Sequence, residues 1–392
     1  MATRRDKIID KALQIIESEP NGMRCFELCQ RVREWFPDFS QHYTRDNIIL
    51  LDKFKPEKVY KPEMGLFLHV KYKDIKEAEK DKDISKESHR PRQIHNSNAM
   101  LIPVQYSKKK YPSHIRPKIA EVAAHFDKDE IIQNLPFSIH TEYSYRKRRL
   151  DSNLLQKFPT LKSAHRNNVP RLWFNRQWSL EFANFINELV QNKEPVVIEI
   201  HPPFTDYSTI DQFLDNYKEF ETRILKRWPT TEVVLENRSG TEYRGGRFLI
   251  SRISDLEGFV NKIEQTALRL NIALDIPQLF TAHGGPEIFD NDGLKEFLSS
   301  LSPLMCRVRS IHLWGKRRNR QGRSIVHVGD LNSYFDYCDS KKNVFLNELA
   351  KLLSDGRERY FVPEVNSSSE DLQSIVSDLE SAGITFVASE AS

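Results

Sequence analysis

Along residues 4–70 the apolar positions recur at helical spacing. Ile8, Ile9, Ala12, Leu13, Ile15 and Ile16 form one face, and Pro20-Asn21-Gly22 stops that helix. Phe26, Cys29, Val32 and Phe36 mark a second helix that ends at Pro37. A third begins near Ser40 and carries Ile48 to Leu51. Strand-like runs follow around Val59-Tyr60 and from Leu66 to Val70, joined by a turn over Pro62–Gly65. Three helices and a hairpin predict a small α+β winged-helix-like domain over residues 1–70, with a plain helical bundle as the alternative. Residues 71–98 hold almost no large apolar side chain and read as a charged linker. Residues 99–136 read as a connecting segment, in which Met100-Leu-Ile-Pro-Val could be a strand and Ile119 to Phe126 a short helix.

From residue 137 to 392 the pattern is regular. Apolar runs of strand length stand at 137–140, 171–174, 196–201, 233–236, 272–275, 308–312, 360–364 and 384–387, with helical patterns between them. Such alternation predicts parallel βα units, which a (β/α)8 TIM barrel closes most simply. A doubly wound sheet would want a Gly-rich phosphate turn after its first strand, and none is present.

Composition agrees with a globular chain: 392 residues leave room for one large and one small domain, with 39% hydrophobic and 29% charged residues. Four scattered cysteines (Cys25, Cys29, Cys306, Cys338) form no CxxC pair, so no disulfide framework or thiolate metal site is expected. A reducing cytoplasm is the expected location. Neither a signal peptide nor a membrane span is expected.

The candidate chemistry stands where the strands end, because the active sites of such barrels form there. His201, Glu236, Asp275, His312 and Glu364 each close an apolar run. One such residue is readily a hydrogen-bonded polar terminus. Five in series at βα spacing would repel one another unless cations compensate, since buried charge is costly. His, Asp and Glu without Cys suit zinc, manganese or iron.

These residues resemble the xylose isomerase-like barrels, and within them endonuclease IV and the UV damage endonucleases. The matching elements are His201-Pro202, Glu236-Asn237, Asp275, His312 and Glu364, in order; His327-Val328-Gly329-Asp330 matches a later element in which His327 or Asp330 would be the ligand. The resemblance implies a cluster of divalent metals, with Glu236 and Glu364 as the catalytic bridging carboxylates. Gln278 stands where a His would be expected three residues after Asp275. His283 is the nearby substitute, and His140 the counterpart of an early His-bearing strand. Two metals per chain, rather than three, are therefore expected.

Basic residues crowd the loops after these strands. Arg146, Arg148 and Arg149 follow His140; Arg238, Arg244 and Arg247 follow Glu236; Lys316, Arg317, Arg318, Arg320 and Arg323 follow His312. One run is ordinarily solvated surface, but three on one rim would favour a polyanion. Trp173, Phe174, Trp178, Phe204 and Tyr207 could stack on bases or lie in the core. In the amino-terminal domain, if it is a winged helix, Gln41, His42, Thr44 and Arg45 would face a DNA groove, with the Pro62–Gly65 turn as the wing. A protein-contact role is the alternative, since Asp46 and Asp52 lie nearby. The expected activity is that of a metal-dependent endonuclease acting on DNA at damaged, modified or specific sites. The alternatives are a metal-dependent sugar isomerase or epimerase, and a DNA-binding regulator without catalysis.

Overall fold

The computed structural model describes residues 3–20, 22–39, 44, 47–48, 51–63, 66–73, 99–123, 136–141, 156–166, 169–191, 193–242, 246–319, 321 and 323–387. The chain divides into two compact units between Gln93 and Ile94.

In the first unit the helix Arg4–Glu17 begins with a capping box in which Thr3 accepts from the Asp6 amide. Its buried face is the apolar stripe read from the sequence, less Ile15, which is only partly buried. The helices Cys25–Trp35 and Leu51–Phe54 follow, with a three-stranded antiparallel sheet in which Leu66–His69 lies between Met23–Arg24 and Val59–Glu63. Most of the expected third helix, including Arg45, lies outside the described residues.

The second unit is a closed barrel of eight parallel strands. In order they are Met100–Gln105, Ile119–Ala123, Phe137–His140, Val197–Ile200, Glu232–Glu236, Asn271–Asp275, Val308–Leu313 and Glu358–Pro363. Closure comes from the last strand pairing with the first, Tyr360 opposite Ile102. The barrel thus starts at Met100, not at residue 137, and the expected connecting segment supplies its first two strands. Met100–Gln105 alternates half-buried and buried positions and Ile119–Ala123 is short, so neither gives the continuous apolar signal of the later strands.

Two other runs differ from expectation. Residues 171–174 form a turn before the helix Arg176–Leu189, with Trp173 at φ 58°. The run is apolar because Trp173 packs edge-on among Trp178, Phe182, Phe213, Tyr217 and Phe220, beneath the helices. At the end of the chain, Thr385–Phe386 pairs beside the start of the first strand as a two-residue addition outside the eight. No helix among the described residues is long and apolar enough to cross a membrane.

Candidate metal centre

The register of the barrel brings the strand ends into one layer. His140 lies opposite Glu199, and Asp275 opposite His312. Side chains alternate across each strand, so Glu199 and His201 share the inward face of one strand, while Glu121 faces the same interior from another. Asp275 ends its strand and also caps the helix Ile276–Ala282, accepting from the Gln278 amide at 2.8 Å. That cap places the Gln278 side chain in the site.

The result is a tight, buried group. His201 Nε2 lies 2.5 Å from Glu236 Oε2 and 3.1 Å from His140 Nε2. The other ring nitrogen of His140 is 3.1 Å from Glu121 Oε1, and its Nε2 is 3.2 Å from Glu199 Oε1. His312 Nε2 is 2.9 Å from Glu199 Oε2, and its Nδ1 is 3.6 Å from Glu364 Oε1. At the rim, His327 Nδ1 stands 3.3 Å from Glu364 Oε2. Trp314 lies under the His327 ring, with centroids 4.4 Å apart, and donates its indole N–H to Asp275 Oδ2 at 3.0 Å. Gly315 permits this corner: a Cβ there would collide with the backbone of Gly329.

Charge explains the behaviour of each group. Burial opposes ionisation of Glu236, but Arg238 and then His201 override it and hold the carboxyl well below its usual range. Glu364 is likewise held at about 2, where burial is outweighed by His312 and His327. Asp275 goes the other way, pushed up to about 8 by burial and by the charges of Glu364 and Glu236. Burial and Arg238 take His201 down to about 4. For His140 and His312 burial is overcome, first by Glu199, and both rise well above the ordinary imidazole range.

Three overlapping groups bring ligand atoms within 4.8 Å of one another: His140, Glu199, His201 and Glu236; Glu121, His140 and Glu364; Glu236, Asp275 and His312. The donor set is nitrogen and oxygen without sulfur, which suits zinc, manganese or iron. The satisfaction of these atoms also fits an ion. Among the described residues, Glu199 Oε1 and both ring nitrogens of His312 are buried without a hydrogen-bond partner; the approaches of His140 Nε2 to Glu199 Oε1 at 3.2 Å and of His312 Nε2 to Glu199 Oε2 at 2.9 Å lack hydrogen-bond alignment. Buried polar atoms are rarely left so unless something else binds them.

Of the residues singled out in the sequence, His140, His201, Glu236, Asp275, His312 and Glu364 meet here, with His327 beside them. His283 does not join them: its Nε2 accepts the Ile253 amide at 3.2 Å and its ring packs on Phe297. Nor does Asp330, which caps the helix Leu331–Tyr334 and accepts from the Ser374 hydroxyl at 2.8 Å. Glu121 and Glu199 were missed because the reading stopped at strand ends. The signal was present, since Glu199 sits two residues before His201 in an otherwise apolar run.

The basic rim is largely neutralised. Lys316 pairs with Glu287, Arg317 with Asp371, Arg318 with Asp336, and Arg247 with Asp255. Arg323 is exposed. Arg146, Arg148, Arg149, Arg244 and Arg320 lie outside the described residues. Trp173, Trp178 and Phe204 belong to the core, while Phe174 is exposed.

No protein-family model matches the chain. The search of curated proteins finds no match. Among solved structures, AsfvAP:AG is similar with a TM-score of 0.46 at 12% identity, covering 72% of this chain and 99% of that one. AP endonuclease, family 2, from Brucella melitensis gives 0.36 at 12%, covering 70% and 96%. SacUVDE gives 0.31 at 12%, covering 73% and 97%. Every one of these scores is below 0.5, so the barrel assignment rests on the chain's own strand order and closure.

Proposed function

We propose that the barrel is a metal-dependent phosphodiesterase that cleaves DNA at damaged, modified or specific sites. The observation that carries this reading is the buried histidine–carboxylate cluster at the carboxyl ends of the strands, with Glu199 and His312 atoms left without hydrogen-bond partners. His140, Glu199, His201 and Glu236, with Glu121 and Glu364 beside His140 and Asp275 and His312 beside Glu236, are the residues that would hold divalent ions. Bound there, such an ion supplies Lewis acidity toward a phosphoryl oxygen and activates water.

The chain's own groups do the rest. Arg238, whose Nη1 is 2.9 Å from Glu236 and 3.3 Å from His201 with 15% of its side chain exposed, would bind a phosphate oxygen at the edge of the cluster. Glu236 beside it, and Glu364 beside His312 and His327, are held in the ionised form. Trp314 and Gln278 hold the Asp275 carboxylate in a fixed orientation. The amino-terminal unit, with helices preceding a small antiparallel sheet, supports a winged-helix-like docking role toward DNA.

The pairing of Lys316, Arg317, Arg318 and Arg247 with carboxylates favours a second reading, a sugar isomerase or epimerase, because it reduces the field available to a polyanion. The test is to strip the protein with chelator, reload it with zinc, manganese or iron, and assay plain, abasic and UV-irradiated duplexes alongside simple aldoses and ketoses. Metal-dependent strand cleavage of at least one duplex is expected. Sugar interconversion with every duplex intact would overturn the proposal in favour of the second reading.

A further inference from the structure

The turn over residues 171–174 reaches the metal centre through one bond: the Trp173 indole N–H donates to the His201 carbonyl at 2.7 Å. His201 stands where the ladder ends. The register with the next strand runs to Ile200 opposite Leu235, and the two residues that follow His201, Pro202 and Pro203, have no N–H to give. Its imidazole must nonetheless meet Glu236 Oε2 and lie 3.1 Å from His140 Nε2. The turn itself is pinned by its neighbours. The Leu172 carbonyl accepts from the Tyr207 hydroxyl at 2.9 Å, and the Trp173 carbonyl from Asn216 Nδ2 at 2.7 Å. Arg171 lies over the Tyr207 ring, its Cζ 4.3 Å from the centre. The buried Trp173 ring packs edge-on against Trp178 and Phe182 of the helix Arg176–Leu189, and against Phe213, Tyr217 and Phe220 of the helix Ile210–Arg227. These contacts hold Trp173 at φ 58°, a left-handed backbone that a bulky residue adopts only under constraint. Glycine would take that angle freely, but would bring neither the ring nor the N–H.

We infer that Trp173 is a positioning residue for the metal centre: its indole N–H fixes the main chain of His201, and with it the aim of the His201 imidazole toward Glu236 and His140. The inference rests on the metal-dependent reading above and adds to it a side chain that touches no ion. The carbonyl held by Trp173 belongs to the planar peptide between His201 and Pro202, so the bond fixes that plane. The paired residue Ile200 fixes the chain on the other side. Between them the direction of the His201 side chain is set from both ends. Metal ligation tolerates departures of only about 0.2 Å, so a small rotation of this backbone carries the imidazole out of range. A buried indole N–H usually finds an acceptor wherever it lies. Here the acceptor belongs to a residue of the donor set, and a strained backbone is kept to reach it. The packing of two outer helices is thereby passed on to one ligand.

The experiment measures metal binding, not turnover. The full chain is stripped with chelator and titrated with Co²⁺; calorimetry reads the affinity and the visible d–d spectrum reads the ligand geometry. Trp173→Phe keeps a ring in the cluster and removes the N–H. Tyr217→Phe removes a hydroxyl from the same cluster, where it donates to Glu221 at 2.9 Å. Both variants should melt earlier in chelator. Only Trp173→Phe should bind Co²⁺ more weakly, by about tenfold, with a shifted spectrum. Asn216→Ala, which loosens the turn from outside the ring cluster, should weaken binding by a smaller factor. Parent-like affinity and spectrum in Trp173→Phe would overturn the inference and leave the metal-dependent reading intact, as would an equal loss in Tyr217→Phe. Should Trp173→Phe not fold, parent-like binding in Asn216→Ala would overturn it instead. No bound ion in the unaltered chain would overturn both readings.

Discussion

Where the barrel strands begin, the guanidinium of Arg359 is fully buried, and all of its donors are used. Asp355 takes two of the five at 2.8 and 2.6 Å, and the carbonyls of Val308, Met305 and Arg357 take the others at 3.1, 3.0 and 3.4 Å. Close by, Arg309 grips Glu232 through two bonds of 2.8 and 2.7 Å. Where the strands end, burial is just as complete but Glu121, Glu199, Glu236, Asp275 and Glu364 crowd together around imidazoles, and buried atoms go without partners. The same barrel therefore buries charge on two terms. A network whose donors and acceptors balance internally holds the fold. One that balances only with something added is built for a ligand, because leaving it alone costs stability.

The comparison can be broken most forcefully at the balanced end. Arg359→Ala leaves Asp355 and the carbonyls of Val308, Met305 and Arg357 without this donor, which should cost about 3 kcal/mol and lower the melting temperature by roughly 5 °C. Metal stoichiometry should not change. A melting temperature within a degree or two of the parent would show that this network is not what holds the strand entrances together.

At the other end, Glu199→Gln keeps the shape of the side chain and removes one of the crowded charges. Metal affinity should fall at least tenfold, about 1.4 kcal/mol. Thermal stability in chelator should stay level or rise, because repulsion is relieved. Calorimetric titration and a melt in excess chelator read the two effects separately. A variant that keeps its metal but melts earlier would mean that Glu199 is a structural acceptor like those around Arg359.

Exposure should grade the effect within the balanced end itself. The Arg309–Glu232 pair is 31% and 22% exposed, so solvent screens it. Arg309→Met should cost only about 1 kcal/mol. A chemical denaturation curve with an unchanged slope and a small shift in midpoint is the expected record.

How far these two ends could be read from sequence follows from what the linear pattern encodes. The ends of buried parallel strands are apolar runs broken by one polar residue, so His201, Glu236, Asp275, His312 and Glu364 were visible. Glu199 and Glu121 needed the two-residue alternation to be carried back one step into the strand. The first barrel strand was legible as a strand over Met100–Val104 but not as part of the barrel. The second, Ile119–Ala123, reads as a short helix because five residues hold too little alternation to tell the two apart. Residues 171–174 misled because a turn packed beneath helices is as apolar as a strand. The Arg238 contact was beyond reach: three residues, Glu236-Asn237-Arg238, show that a guanidinium is nearby, but not that it folds back onto the carboxylate two residues before it. Likewise the basic run over residues 316–323 says nothing of Glu287, Asp336 and Asp371, which come from distant loops and helices to neutralise it.

That last point yields the smallest expected effect and extends the comparison to the surface. If internal balance decides which charges act on ligands, paired and unpaired arginines of the hairpin after His312 should differ in DNA binding. Arg317 is tied to Asp371, so Arg317→Ala removes a cation whose charge is already compensated. Arg323 is exposed and, among the described residues, engages only through its backbone, its amide on Asn319 Oδ1 at 2.9 Å and its carbonyl on the Asn319 amide at 2.8 Å. Its side chain is free to meet a phosphate and displace a counterion. Each phosphate contact contributes about 0.9 to the slope of log affinity against log salt concentration. Arg323→Ala should therefore flatten that slope by about one unit, while Arg317→Ala should leave it nearly unchanged. Fluorescence anisotropy on a short duplex over a salt series measures both. Equal loss from the two variants would show that Asp371 releases Arg317 when DNA arrives, and that pairing in the free protein does not predict which charges bind. No salt dependence in the parent protein would remove DNA from the reading of this face.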